Sequence, residues 1–200
     1  MAGEEEQEQS VSELLAARRR KLERLREGGV EPFPHAYPGV GPIAGVRDAH
    51  ADLEAGAETD ARCRVAGRIA ARRGQGKAAF IDLVDRSGRI QLHARADVLD
   101  ADAFERLVGL DLGDLIGVDG TVFCSRRGEL SLRVDDWALL AKSLRPPPEK
   151  HHGLQDVETR FRYRELDLIA SEEARELFLA RARIVAGIRR HLDEAGFVEV

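Results

Sequence analysis

Two short runs set the pattern of this chain. Ala78-Ala-Phe-Ile-Asp-Leu-Val-Asp85 and Arg89-Ile-Gln-Leu-His-Ala-Arg95 both alternate apolar and polar positions, the period of a half-buried strand. Arg86-Ser-Gly88 between them supplies a turn, so the pair is expected to form a hairpin. With Ile81, Leu83, Ile90 and Leu92 facing a core, Phe80, Asp82, Gln91 and His93 must take the outer face. Upstream, Cys63, Val65, Gly67 and Ile69 alternate with Arg62, Arg64 and Arg68, giving a strand with an apolar inner and a basic outer face. Downstream come a short helix over Asp102–Leu110, with Phe104, Leu107 and Val108 inward, and a strand over Leu115–Ser125 with Ile116, Val118, Val122 and Cys124 on one face. Arg126-Arg-Gly128 then turns into a fifth strand, Glu129–Leu140. Five strands with a helix between the third and fourth is the order of an OB-fold, a Greek-key barrel whose second and third strands bind oligonucleotides.

The flanks divide the remainder. Residues 1–11 form an acidic tail expected to be disordered, and 12–61 hold a helix and a connector. The helix, Ser12 to Glu27, puts Leu14, Leu15, Leu22 and Leu25 on one side and ends at Gly28-Gly29. Its other side carries Arg18, Arg19, Arg20, Lys21, Arg24 and Arg26, either a solvated face or an extension of a phosphate-contacting surface. Pro32, Pro34, Pro38 and Pro42 mark the connector, with a short helix expected at Asp48–Leu53. The barrel takes 62–142. Arg145-Pro-Pro-Pro148 opens a linker and hinge over 143–170. Over 171–200, Ser171 caps a helix running through Leu177, Phe178, Ile184, Val185, Ile188 and Leu192 to about Ala195, and Phe197–Val200 starts a strand. A strand without a partner and a stripe with nothing to cover imply the opening of a larger α+β domain, or pairing with another chain. The fold class is therefore mainly β with flanking helices.

Charge changes this picture locally. The chain as a whole carries a formal charge of -5, which alone argues against a nucleic-acid partner. Between Arg62 and Arg95, however, nine basic residues stand against two acidic ones, a footprint for polyanions. Composition is that of a cytoplasmic protein. There is no apolar run long enough to cross a bilayer, and Cys63 and Cys124 have no metal-ligand spacing, so both read as reduced and structural. Gly74-Gln-Gly76-Lys77 lacks the Ser or Thr and the leading glycine of a phosphate loop. His151-His152 has no companions to complete a metal site, and no nucleophile, base and orienter come together. Neither a catalytic nor a metal-binding residue is assigned.

What the barrel face offers is single-strand recognition, which takes an aromatic plate, a group reading a base edge and cations for phosphate. Phe80 is the plate. Gln91 both donates and accepts, which suits uracil, Arg73 leaves the first strand near the same end, and Glu129 at the tip between strands four and five would accept from a base N–H or amino group.

Val65-Ala-Gly-Arg68, Gly76-Lys-Ala-Ala-Phe80, Gly88-Arg-Ile-Gln-Leu92, Asp111-Leu-Gly-Asp114 and Arg127-Gly-Glu-Leu-Ser131 resemble class II lysyl-tRNA synthetases of the bacterial type. So, above all, does Leu144-Arg-Pro-Pro-Pro-Glu-Lys-His-His-Gly-Leu-Gln-Asp156, followed by Glu158, Arg160, Arg162 and Leu166-Asp-Leu168. The likeness covers nearly the whole chain from Ser12, departing from the family pattern at Glu165, where an aromatic is usual, and at Gly74-Gln75, which replace bulkier residues. It implies that Arg73, Phe80, Gln91 and Glu129 bind a tRNA anticodon with a central uridine. Gly196-Phe-Val-Glu-Val200 resembles the start of motif 1, the dimer-interface helix and strand, which implies a homodimer for the complete enzyme. The same resemblance implies an ATP- and Mg2+-dependent lysine–tRNA ligase of which this chain, without motifs 2 and 3, is expected to be inactive alone and to bind neither cofactor. An aspartyl or asparaginyl synthetase fragment and a stand-alone oligonucleotide-binding module remain the alternatives.

Overall fold

A computed structural model describes residues 2–148 and 153–200. Glu149, Lys150, His151 and His152, which belong to the motif quoted above, lie outside the described residues, and so does the reading of the two histidines. The chain divides into two compact units, Met1–Pro146 and Pro147–Val200.

In the first unit five strands, β1 (Glu58–Gln75), β2 (Ala78–Val84), β3 (Arg89–Arg95), β4 (Leu115–Cys124) and β5 (Leu130–Ala141), close into a barrel in the order β1-β2-β3-β5-β4. All neighbours are antiparallel except β3 and β5, which run parallel. Every residue assigned inward on the central hairpin is fully buried: Ile81, Leu83, Ile90 and Leu92 join Val65, Ile69, Ile116, Val118, Val122, Leu132 and Val134 in one core. Gly67 is required there. A Cβ on it would come within 2.6 Å of the Val84 carbonyl oxygen, so β1 and β2 could not close.

Helices plug and brace this barrel. Helix α3 (Ala101–Val108) is capped by the Asp100 carboxylate, which accepts from the Ala103 N–H, and buries Phe104 and Leu107. The short helix expected at 48–53 instead occupies Ile43–Ala49, as α2. The reason is tertiary: Ile43 and Val46 are buried in the core, and the β2–β3 turn caps the helix start, with the Ile43 N–H donating to Asp85 Oδ2 and the Ala44 N–H to Ser87 Oγ.

Helix α1 spans Ala2–Glu27, so the acidic tail expected to be disordered is helical from Ala2. Glu, Gln and Ala are good helix formers. Gly29, at φ 72°, ends the helix and lets the Val30 N–H reach the Leu25 carbonyl. Leu22 is buried and Leu25 rests against the core. Two cations that the sequence placed on the solvated side are structural. Arg18 is buried and donates to the carbonyls of Leu112, Ser143 and Arg145, and Lys21 bonds the Gly109 carbonyl and Asp111. Beneath them Lys142, its side chain 1% exposed, donates to Asp111 and Asp114 at 2.8 and 2.7 Å. This buried ionic knot ties α1, the α3–β4 turn and the end of β5 together.

In the second unit, the stretch read as linker and hinge contains α4 (Val157–Arg162) and α5 (Arg164–Ala170). They are joined by Arg160 and Arg164, which both bind the buried Asp167 carboxylate. Helix α6 (Glu172–Glu194) begins at Ser171, whose hydroxyl accepts from the Ala174 N–H. Leu177, Ile184 and Ile188 along it are exposed. Phe197–Val200, read as the start of a strand, forms none: a strand needs a hydrogen-bonded neighbour, and no ladder reaches these residues among those described.

Candidate nucleic-acid interface

The outer face of β2 and β3 carries the residues that the alternation assigned to it. Phe80 stands directly opposite Arg73 on β1 and opposite His93 on β3, half-buried rather than sealed in the core. One level along, Asp82 pairs with Gln91, Gln91 with Ser131 on β5, and Ser131 with Phe123 on β4. Glu129 immediately precedes β5. The four residues proposed from sequence therefore gather on one side of the barrel.

Arg73 reaches this face because of an irregularity that periodicity alone does not show. If β1 alternated without interruption, positions 63, 65, 67 and 69 would continue inward to 71 and 73. Between Ile69 and Ala71 the register shifts by one residue, so Ile69 pairs with Leu83 but Ala71 pairs with Asp82. Such a bulge turns the remainder of the strand over. Arg73 is thereby placed beside Phe80, while Arg72 is directed to the Val108 and Leu110 carbonyls at the end of α3.

Ion pairs link the four positions. The Asp82 carboxylate, 5% exposed, sits between Arg73 at 3.6 Å and Arg89 at 3.3 Å, and Arg89 continues to Glu129 at 3.5 Å. These are long contacts by guanidinium groups that are 66% and 51% exposed, so the outer side of each arginine is open to a phosphate. Arg89 is a component that sequence reading counted only as charge. Not all of the basic footprint is available, however. Arg64 is held by Asp119 at 2.8 Å and lies over the Tyr37 ring, Arg68 donates to the Gly113 carbonyl, and Arg72 is committed as described. What faces solvent is Arg62, Arg73, Lys77, Arg86, Arg89 and Arg95, the last paired with Asp97.

Gln91 keeps half of its amide for a ligand. Ser131 Oγ lies 3.3 Å from Gln91 Oε1 and 3.0 Å from the Glu129 carbonyl, and its single proton serves only one of them. With that proton on Gln91 Oε1, the amide nitrogen is left to donate to a base carbonyl; with the proton on the Glu129 carbonyl and the Gln91 amide turned over, the nitrogen donates to Ser131 and the oxygen accepts a base N–H.

Aromatic groups extend further than Phe80. The His93 ring is stacked on it at 4.6 Å with an interplanar angle of 4°, and Phe123 approaches His93 at 5.8 Å with a 45° tilt. The sequence showed His93 facing outward, but only the opposite pairing of positions 80 and 93 reveals the stack. Burial, then the charges of Arg95 and Arg133, hold the His93 pKa below the ordinary imidazole value, against the opposing pull of Asp97. His93 is therefore a neutral aromatic at neutral pH. On the neighbouring face, burial pushes the Cys63 thiol up to about 11, which accords with a structural role.

Comparison with known proteins agrees with the barrel fold. Residues 63–140 match the family model for tRNA anticodon-type OB-fold nucleic acid binding domains. Over 197 residues the chain is 42% identical to a lysine–tRNA ligase of Lactiplantibacillus plantarum, covering 97% of this chain and 39% of that protein. It is 44% identical over 192 residues to the lysine–tRNA ligases of Carboxydothermus hydrogenoformans and Moorella thermoacetica, covering 96% of this chain and 38% of each. The chain thus spans well under half the length of the relatives it matches. With an anticodon-type OB-fold at its centre and this likeness running through both of its units, the chain is a homologue of part of the lysine–tRNA ligases.

Proposed function

We propose that the β2–β3 face binds the anticodon loop of a tRNA with a central uridine, as the RNA-recognising part of a lysine–tRNA ligase. The observation that carries this reading is the shared outer face of Phe80 and Gln91, flanked by Arg73, Arg89 and Glu129. A flat ring takes a base, an amide reads its edge, guanidinium groups take phosphates, and a carboxylate accepts from a base donor. The complete ligase joins lysine to tRNA at the expense of ATP with Mg2+, and acts as a homodimer in the cytoplasm. Among the described residues no three His, Cys, Asp or Glu side chains converge to hold a metal. No step of lysine activation is assigned to these residues.

The test is a binding titration with anticodon stem-loops varied one base at a time. Gln91→Ala should lose discrimination for uridine at one position while retaining most affinity for other loops. An equal loss for every sequence would show that Gln91 supports the barrel and reads nothing. Affinity should fall as salt rises, because phosphate contacts release counterions.

A further inference from the structure

The stacked pair Phe80–His93 restricts how a base can approach. Two rings on adjacent strands, 4.6 Å apart and within 4° of parallel, cover one another's facing surfaces. Phe80 then has a single face left, the one turned away from β3 towards β1, where Arg73 is its direct neighbour. The Arg73 side chain is 66% exposed and only 3.6 Å from Asp82 at its closest, so its planar group can swing over a base resting on that face. His93 itself is braced on its far flank by Phe123.

We propose that His93 is a positioning residue for RNA recognition: its flat ring holds Phe80 upright and closes one side, so that a base enters only between Phe80 and Arg73. This rests on the anticodon-binding reading above and adds to it the direction of stacking. A phenyl ring without a flat neighbour would turn about its side-chain bonds and offer either face, losing preorganisation. Aromatic pairing of this kind has the size to change affinity by about 3- to 10-fold.

The experiment compares His93→Phe with His93→Leu in the 200-residue chain. Both fill the space with apolar atoms, but only phenylalanine is flat. The probe is a stem-loop with a central uridine, followed by titration and by the ring-current shift of the uridine H5 proton. We expect His93→Phe to bind as the unsubstituted chain does, with the same upfield shift, and His93→Leu to bind about 3- to 10-fold more weakly with a reduced shift. Arg73→Ala should reduce the shift as well, since the base loses its outer cover. Equal binding and equal shifts for the Phe and Leu variants would overturn the role of His93. If the unsubstituted chain shows no preference for the uridine loop over an unrelated hairpin, the anticodon reading itself fails, a distinct result that removes the basis of this one.

Discussion

Replacing Lys142 with methionine tests how α1 is bound to the barrel. The Lys142 ammonium is 1% exposed and donates to Asp111, to Asp114 and to the Ser143 carbonyl. Asp114, with a fully buried side chain, also accepts the Ser143 and Asp111 N–H groups. Methionine keeps the volume of the stem, so the loss is electrostatic: a carboxylate stays inside with backbone donors but no cation. Removing one partner of a buried pair costs about 3–5 kcal/mol, a large share of a domain stability of about 5–15 kcal/mol. The corresponding fall in Tm is on the order of 10 °C for a chain of this size. The double variant Lys142→Met with Asp114→Asn should recover part of the loss, because the orphaned charge is gone. Urea denaturation of the two variants beside the parent measures both quantities. A loss below about 1 kcal/mol for the single variant would mean that the knot is wet and that Arg18 and the leucines of α1 hold the helix unaided. Acid sensitivity should change with it. Burial would raise the Asp111 pKa, but the bonds from Lys142 and Lys21 outweigh burial and lower it. Its stabilising contribution is present above the ordinary carboxylate value and is lost as pH falls through the lowered one, so the variant should lose less on acidification.

Other consequences can be checked independently. A Cβ at Gly117 would overlap the Tyr37 ring, which lies across β4, so Gly117→Ala should destabilise by about 1–3 kcal/mol and detach the proline-rich connector, seen as faster proteolysis between residues 30 and 42. The lowered pKa of His93 means that the unfolded chain takes up this proton first. Its contribution to stability is therefore complete above the ordinary imidazole value and declines as pH falls from there towards the folded value. The denaturation midpoint should accordingly drop between neutral pH and mildly acid pH, and His93→Phe should flatten that drop; an unchanged slope would contradict it. With its pKa pushed to about 11, Cys63 should react slowly with iodoacetamide at pH 8 in the native state and quickly in denaturant.

How much of this was legible in the sequence depended on whether the signal was local. Alternation along 78–85 and 89–95 is local, and it put Phe80 and Gln91 on the outer face and four aliphatic side chains in the core, as observed. The bulge after Ile69 is not local. It arises where β1 changes partners, with the Ile69 N–H bonded to the Asp114 carbonyl, and nothing in Arg-Ile-Ala-Ala-Arg-Arg distinguishes the arginine that reaches solvent from the one that caps α3. Arg18 and Lys21 misled for the same reason, since a cation facing away from a leucine stripe reads as solvated until distant carbonyls are found around it. The helix start at Ile43 was missed because its cap comes from Asp85 and Ser87 rather than from a neighbouring residue.

Base stacking on the outer face of the barrel is the central claim, and the affinity of Phe80→Ala for an anticodon stem-loop with a central uridine tests it most directly. The ring lies outside the apolar core, so the variant should fold normally and bind with a loss of about 1–3 kcal/mol, roughly ten- to hundredfold in Kd. A folded Phe80→Ala protein that binds the stem-loop as tightly as the parent would contradict the account.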